Sequence, residues 1–146
     1  MKGPYRRACT RHRDCEEITV ARQMTSPVQQ CIDMCNQCHD MSERMITHCM
    51  ETGGDQMVRI GNMMISCADM CRMCADMLMR SSSMKSDRDM MRMCARMCEL
   101  CADMCRMGSE MFQKAKDPRL TEAVDMMKRC ADACRAVTED AMTRSA

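Results

Sequence analysis

The sequence predicts an all-α protein: an antiparallel up-down four-helix bundle with a cysteine-lined core and a short N-terminal arm. Three observations predict it. Helix formers dominate while β-branched residues are sparse. Capping and breaking residues recur at regular intervals and leave four segments of roughly 22–27 residues joined by short connections. Within each segment the apolar residues follow one stripe at alternating steps of 3 and 4.

The elements follow in order. Residues 1–25 read as a basic arm that includes Arg6 and Arg7, with a short helix near residues 15–24 as its one candidate element. Ser26 followed by Pro27 is a helix start, a capping hydroxyl with a proline in the first turn where its missing N–H costs nothing. That helix covers 27–52 and stops at Gly53 and Gly54. Asp55 caps a second over 55–80, which ends in Ser81, Ser82 and Ser83. Ser86 or Asp87 starts a third over 87–108, ending near Gly108 or fraying to about Lys114. Asp117 with Pro118 repeats the start signal for a fourth over 118–143. Residues 26–146 thus form the bundle.

The stripes carry the chemistry. The first helix presents Val28, Cys31, Cys35, Cys38, Ser42, Met45 and Cys49. The second presents Met57, Ile60, Met64, Cys67, Cys71, Cys74 and Leu78. The third has Met91, Cys94, Cys98, Cys101, Cys105, Gly108 and Phe112, and the fourth Leu120, Ala123, Met127, Cys130, Cys134, Val137 and Ala141. Thirteen of the 15 cysteines therefore lie on inward seams. A second stripe on the third helix reads Met90, Met93, Met97, Leu100, Met104, Met107 and Met111, with a partial counterpart of Met63, Ser66, Met70, Met73 and Met77 on the second. Methionine fills irregular gaps, so this stripe reads as a widened apolar face or a subunit interface, with auxiliary soft-metal contacts as the sharper alternative.

Composition narrows the function classes. With 24 Met and 15 Cys, more than one residue in four carries sulfur, whereas Leu, Ile, Val and Phe make up about one in ten. Disorder would need a large net charge, but 22 basic and 21 acidic residues nearly cancel. That balance gives no basic field for nucleic acid, and one Tyr, one Phe and no Trp offer no base-stacking platform. No apolar run is long enough to span a membrane, and no signal peptide is readable. A secreted disulfide scaffold would scatter its cysteines among turns, not inside uninterrupted helices, and an odd count leaves one unpaired.

Cysteines three or four apart project from one helix face. The CxxxC pairs are 31/35, 67/71, 94/98, 101/105 and 130/134, and the CxxC pairs are 35/38, 71/74 and 98/101. Counting from the loops puts Cys38, Cys71, Cys98 and Cys134 near one level. Next come Ser42, Cys67, Cys101 and Cys130 or Cys134, then Met45, Met64, Cys105 and Cys130. Levels about 5–6 Å apart make a continuous column, not isolated sites. Thirteen bare thiolates cannot remain charged in an apolar interior. They are protonated when empty or neutralised by monovalent soft cations, and Cu(I), with its preference for thiolate and thioether, fits multiple ions per chain. Zn²⁺ favours separate tetrahedral sites, and iron–sulfur clusters draw cysteines from short loops.

The segments CIDMCNQC (31–38), CADMCRMCADM (67–77), CARMCELCADMC (94–105) and CADAC (130–134) resemble the four-helix-bundle copper storage proteins of bacteria over about residues 26–145. The resemblance implies a tube that holds many Cu(I) ions on inward cysteines, some members being homotetramers. It implies storage or detoxification in copper homeostasis, with no catalysis. The fourth helix, with two cysteines, is the sparse wall of this tube.

Toward the Gly53–Gly54 end the seam becomes Met45, Met57, Met64 and Met127, with Cys49 and Cys105 among them. Neutral thioethers suit transient uptake of Cu(I), and a Met- and His-bearing end resembles the family's ion entrance. His48 lies near this end and is a candidate ligand, whereas His39 should turn away from the seam. Cys9, His12 and Cys15 form a CxxHxxC that reads as arm-packing thiols, an extra metal site or an intermolecular contact. The competing functions are an Fe–S or Zn redox or metal protein and a structural, Met-rich interaction bundle. No nucleophile–base pair, phosphate loop or carboxylate dyad suggests an enzyme. Thiols favour a reducing compartment, so the cytoplasm is expected, with export as the alternative if a leader has been removed. The copper donor and acceptor are not encoded in any readable motif.

Overall fold

In the computed structural model, residues 26–81, 83 and 87–145 are described, with side chains to 141. The expected arm, with Cys9, His12 and Cys15, lies outside the described residues. Among those described, four long helices appear: α1 (Pro27–Thr52), α2 (Asp55–Ser81), α3 (Arg88–Ala115) and α4 (Thr121–Ser145), the last entered through a short 3-10 turn, Pro118–Leu120. There are no strands among these residues. Each helix packs on two others in a ring, α1 on α2 and α4, and α3 on α2 and α4. The short connections make all four contacts antiparallel.

Local chemistry explains the ends. Ser26 Oγ accepts from the Gln29 N–H at 3.3 Å, and Pro27 is the first helical residue. Gly53 and Gly54 have φ of 70° and 90°, left-handed values that glycine adopts without a Cβ clash, and the Gly53 N–H closes α1 on the Cys49 carbonyl at 3.1 Å. Asp87 caps α3 by accepting from the Met90 N–H at 3.0 Å, and Asp117 caps the 3-10 turn by accepting from the Arg119 N–H at 2.9 Å.

Two helix bounds are sharpened. Of the two ends read for α3, near Gly108 or about Lys114, the structure has the longer, and the helix continues unbroken to Ala115. A glycine costs a helix about 1 kcal/mol relative to alanine, but here it is buried against α4. A Cβ at Gly108 would lie 3.0 Å from Met127 Sδ, so the bare backbone makes room for that side chain. The fourth long helix likewise starts at Thr121, after a tighter turn over 118–120.

The core is one cluster of inward cysteines closed by larger apolar residues. Ile60, Phe112 and Leu120 are almost wholly buried toward the Gly53–Gly54 end, and Leu78 and Val137 are buried toward the other. Of the second stripe, Met70, Met77, Met97 and Met104 are half-buried against the core and widen the apolar face. Met73, Met93, Leu100 and Met107 are more than half exposed. None of the described helices is long and apolar enough to cross a membrane. Phe112 is the bulkiest closure, and Phe112→Ala should destabilise the protein by about 3–5 kcal/mol. A chemical-denaturation midpoint unchanged from wild type would contradict this packing.

Candidate metal centre

All thirteen cysteines from Cys31 to Cys134 are buried and none forms a disulfide. Because the seams step by 3 and 4, each helix turns its thiols to the bundle axis. There they meet thiols of the neighbouring helices. Cys31 Sγ donates to Cys134 Sγ at 3.5 Å and lies 4.0 Å from Cys35 Sγ. Cys35 Sγ is 3.9 Å from both Cys130 and Cys134. Cys71 Sγ is 3.8 Å from Cys101 and 4.0 Å from both Cys105 and Cys130, and Cys74 is 3.8 Å from Cys98.

These contacts build three four-thiol groups whose sulfurs lie within 4.8 Å of one another: Cys31/Cys35/Cys74/Cys134, Cys35/Cys101/Cys130/Cys134 and Cys38/Cys71/Cys105/Cys130. The groups share members, so the column is continuous. A metal–thiolate bond of about 2.3 Å, as for zinc, places two sulfurs on one ion at most about 4.6 Å apart. Ions can therefore enter with little helix movement.

The level assignment read from loop counting is shifted. Cys38 and Cys71 share a level as expected, but their partners are Cys105 and Cys130, not Cys98 and Cys134. Loop counting treats helix ends as flush. Cys74 and Cys98 touch although α3 extends about one turn further than α2 beyond that level, so its first turn overhangs α2.

Interactions between neighbouring thiols and burial without a counter-charge together set the protonation of this column. Ten of the thirteen thiols are raised above their ordinary range. At Cys49, Cys67 and Cys94 the leading cause is desolvation. At Cys130, Cys134, Cys71 and Cys105 it is the neighbouring Cys101 sulfur, toward which each keeps its proton. Cys101 is correspondingly lowered by the thiols around it, Cys105 first. Cys38 and Cys74 are also lowered by neighbouring thiols. The group titrates as a unit in which a few sulfurs accept and the rest hold their protons.

The remaining candidates fall outside the four-thiol groups. Cys67 turns its S–H to the Met104 carbonyl at 3.8 Å and Cys94 to the Met77 carbonyl at 3.9 Å. Cys49 is buried near the Gly53–Gly54 end, where Met64 and Met127 are fully buried, Met57 is nearly so and Met45 is half-buried. His39 donates Nδ1–H to the Ala68 carbonyl at 3.0 Å, which holds it away from the sulfurs. His48 Nε2 is 3.0 Å from Asp117 Oδ2, and its Nδ1 faces Arg119 Nη1 at 3.3 Å. Arginine can only donate, so Nδ1 accepts and Nε2–H donates to Asp117. His48, followed by the Arg119 backbone N–H, holds the Asp117 carboxyl below its ordinary range. Both His48 nitrogens thus tie α1 to the α3–α4 connection. Nothing in the spacing of His48 and Asp117 announces that pairing; only the fold brings them together.

Comparison with known proteins agrees with this geometry. Residues 24–145 match the family described as copper storage protein. No curated protein matches the chain. Among solved structures, the chain is similar to the Nmul_A1745 protein of Nitrosospira multiformis, with a TM-score of 0.63 and 25% identity over 77% of this chain and 95% of that one. A bundle of four helices lined by thirteen free thiols, matched over nearly all its described length, places this chain in the copper storage protein family.

Proposed function

We propose that the column carries copper as Cu(I), on the order of one ion per inward cysteine. The ligands are Cys31, Cys35, Cys38, Cys49, Cys67, Cys71, Cys74, Cys94, Cys98, Cys101, Cys105, Cys130 and Cys134. The observation that carries this reading is the sharing of sulfurs: Cys35 and Cys134 belong to two four-thiol groups, and so does Cys130. A bridging thiolate can serve two low-coordinate monovalent ions. Three tetrahedral Zn²⁺ sites would compete for those shared sulfurs, and each full four-thiolate site would bury a net negative charge. One monovalent ion per thiolate leaves the core neutral.

In this reading Met64, Met127, Met57 and Met45 form the thioether end at which ions arrive. Ile60, Phe112 and Leu120 are almost wholly buried toward that end. His48, whose lone pair lies on Nδ1, would reach an ion only by releasing Arg119. The role is sequestration, which the match to the copper storage protein family supports. Free thiols in this number suit the reducing cytoplasm. Exposed Met73, Met93, Leu100 and Met107 would be covered in a homo-oligomer such as the tetramer that the family resemblance suggests.

Anaerobic titration of the reduced protein with Cu(I) against a competing chelator should count on the order of one ion per core thiol. Saturation at one or two ions would overturn the proposal. Protonation gives a second expectation. Raised thiols hold their protons to higher pH when folded than when unfolded, where the ordinary value is 9.0. The stability they contribute is therefore fully present below about pH 9 and is lost as pH rises toward the folded values. The empty protein should melt at progressively lower temperature above that pH, whereas the copper-loaded form, with no thiol protons to lose, should change little. Circular-dichroism melts with equal pH dependence in the two forms would contradict this.

A further inference from the structure

The layer beyond Cys38, Cys71, Cys105 and Cys130 is built differently. Cys38 shares a level with Cys71, and Cys49 Cβ lies 3.5 Å from where a Gly61 Cβ would be. In antiparallel helices this register sets Ser42 opposite Cys67. From the other hairpin come Gly108 and Met127: a Cβ on Gly108 would lie 3.0 Å from Met127 Sδ and 3.3 Å from Cys67 Sγ. Where the neighbouring layer has four thiols, this one has a hydroxyl, a thiol, bare backbone and a thioether. Ser42 is fully buried, and its Oγ has no hydrogen-bond partner among the described residues. A buried hydroxyl without a partner is costly and rare, and asks for an explanation.

We infer that Ser42 is the hydrogen-bond donor for Cys67 in its thiolate form, when this layer takes up a Cu(I) ion between Cys67 and the Met127 thioether. The inference rests on the reading of the core as a Cu(I) store. On loading, the Cys67 S–H bond breaks, its proton leaves to solvent, and the sulfur lone pair forms the bond to copper, which stays monovalent. In the empty protein the layer has a surplus donor, because Cys67 spends its own S–H on the Met104 carbonyl. In the loaded protein the sulfur becomes an anionic acceptor, and the Ser42 O–H, unpartnered at the same level, is the donor that turns to it. Ser42 acts through Cys67 and so is a positioning residue.

The test is Ser42→Ala, read in two states. The empty variant should melt at a higher temperature than wild type, because an unpartnered buried hydroxyl is gone. The most weakly held Cu(I) in a chelator-competed titration should bind about tenfold less tightly, because a charge-assisted hydrogen bond is lost. A merely structural role would move both readouts in one direction. Met127→Leu, which keeps the volume and removes the thioether, should cost the same ion. If both variants load many ions with wild-type affinities throughout, the inference is overturned and the store stands. If wild type itself saturates at one or two ions, both fall.

Discussion

Removing a thiolate from water without a counter-charge is the constraint on which this structure turns. Thirteen buried cysteines leave two neutral states, one with the protons held and one with a monovalent cation in place of each proton. The empty protein adopts the first, with most thiols raised by burial or by bonds to a neighbouring sulfur. The same packing that keeps the protons sets the sulfurs at separations one ion can bridge. The stability of the empty bundle and its capacity for metal are thus two aspects of one arrangement.

Straight helices suit this purpose. Loops could wrap one compact cluster, but helical seams repeat every turn, so thiols meet across the helix interfaces at successive levels. Sharing of Cys35, Cys134 and Cys130 between groups is the geometric result. Methionine and alanine fill the remaining space without adding charge, and the ends are closed by the few conventional apolar side chains, Ile60, Phe112, Leu120 and Leu78. The scarcity of Leu, Ile, Val and Phe reflects a core given over to ligands.

Much of this was legible in the residues. Caps at Ser26 and Asp87, glycines 53 and 54, and the steps of 3 and 4 sufficed for helix number and for the inward face, because these signals are local. What is not legible there is tertiary. Which of the two ends read for α3 holds depends on the clearance Gly108 gives Met127, and Met127 comes from another helix. The overhang of α3 shifted the cysteine layers because no local signal encodes how two hairpins slide. His48 looked available because its partner Asp117 is 69 residues away. Ser42 was visible on its seam, but its missing partner could only be seen once the layer was assembled.

In the proposed function copper replaces the thiol protons of the core one for one, and proton release in weakly buffered, oxygen-free solution as Cu(I) is added measures that exchange. The account predicts about one proton released per ion until the thiols are filled. Uptake of many ions without proton release, as for binding to thioethers alone, would contradict it.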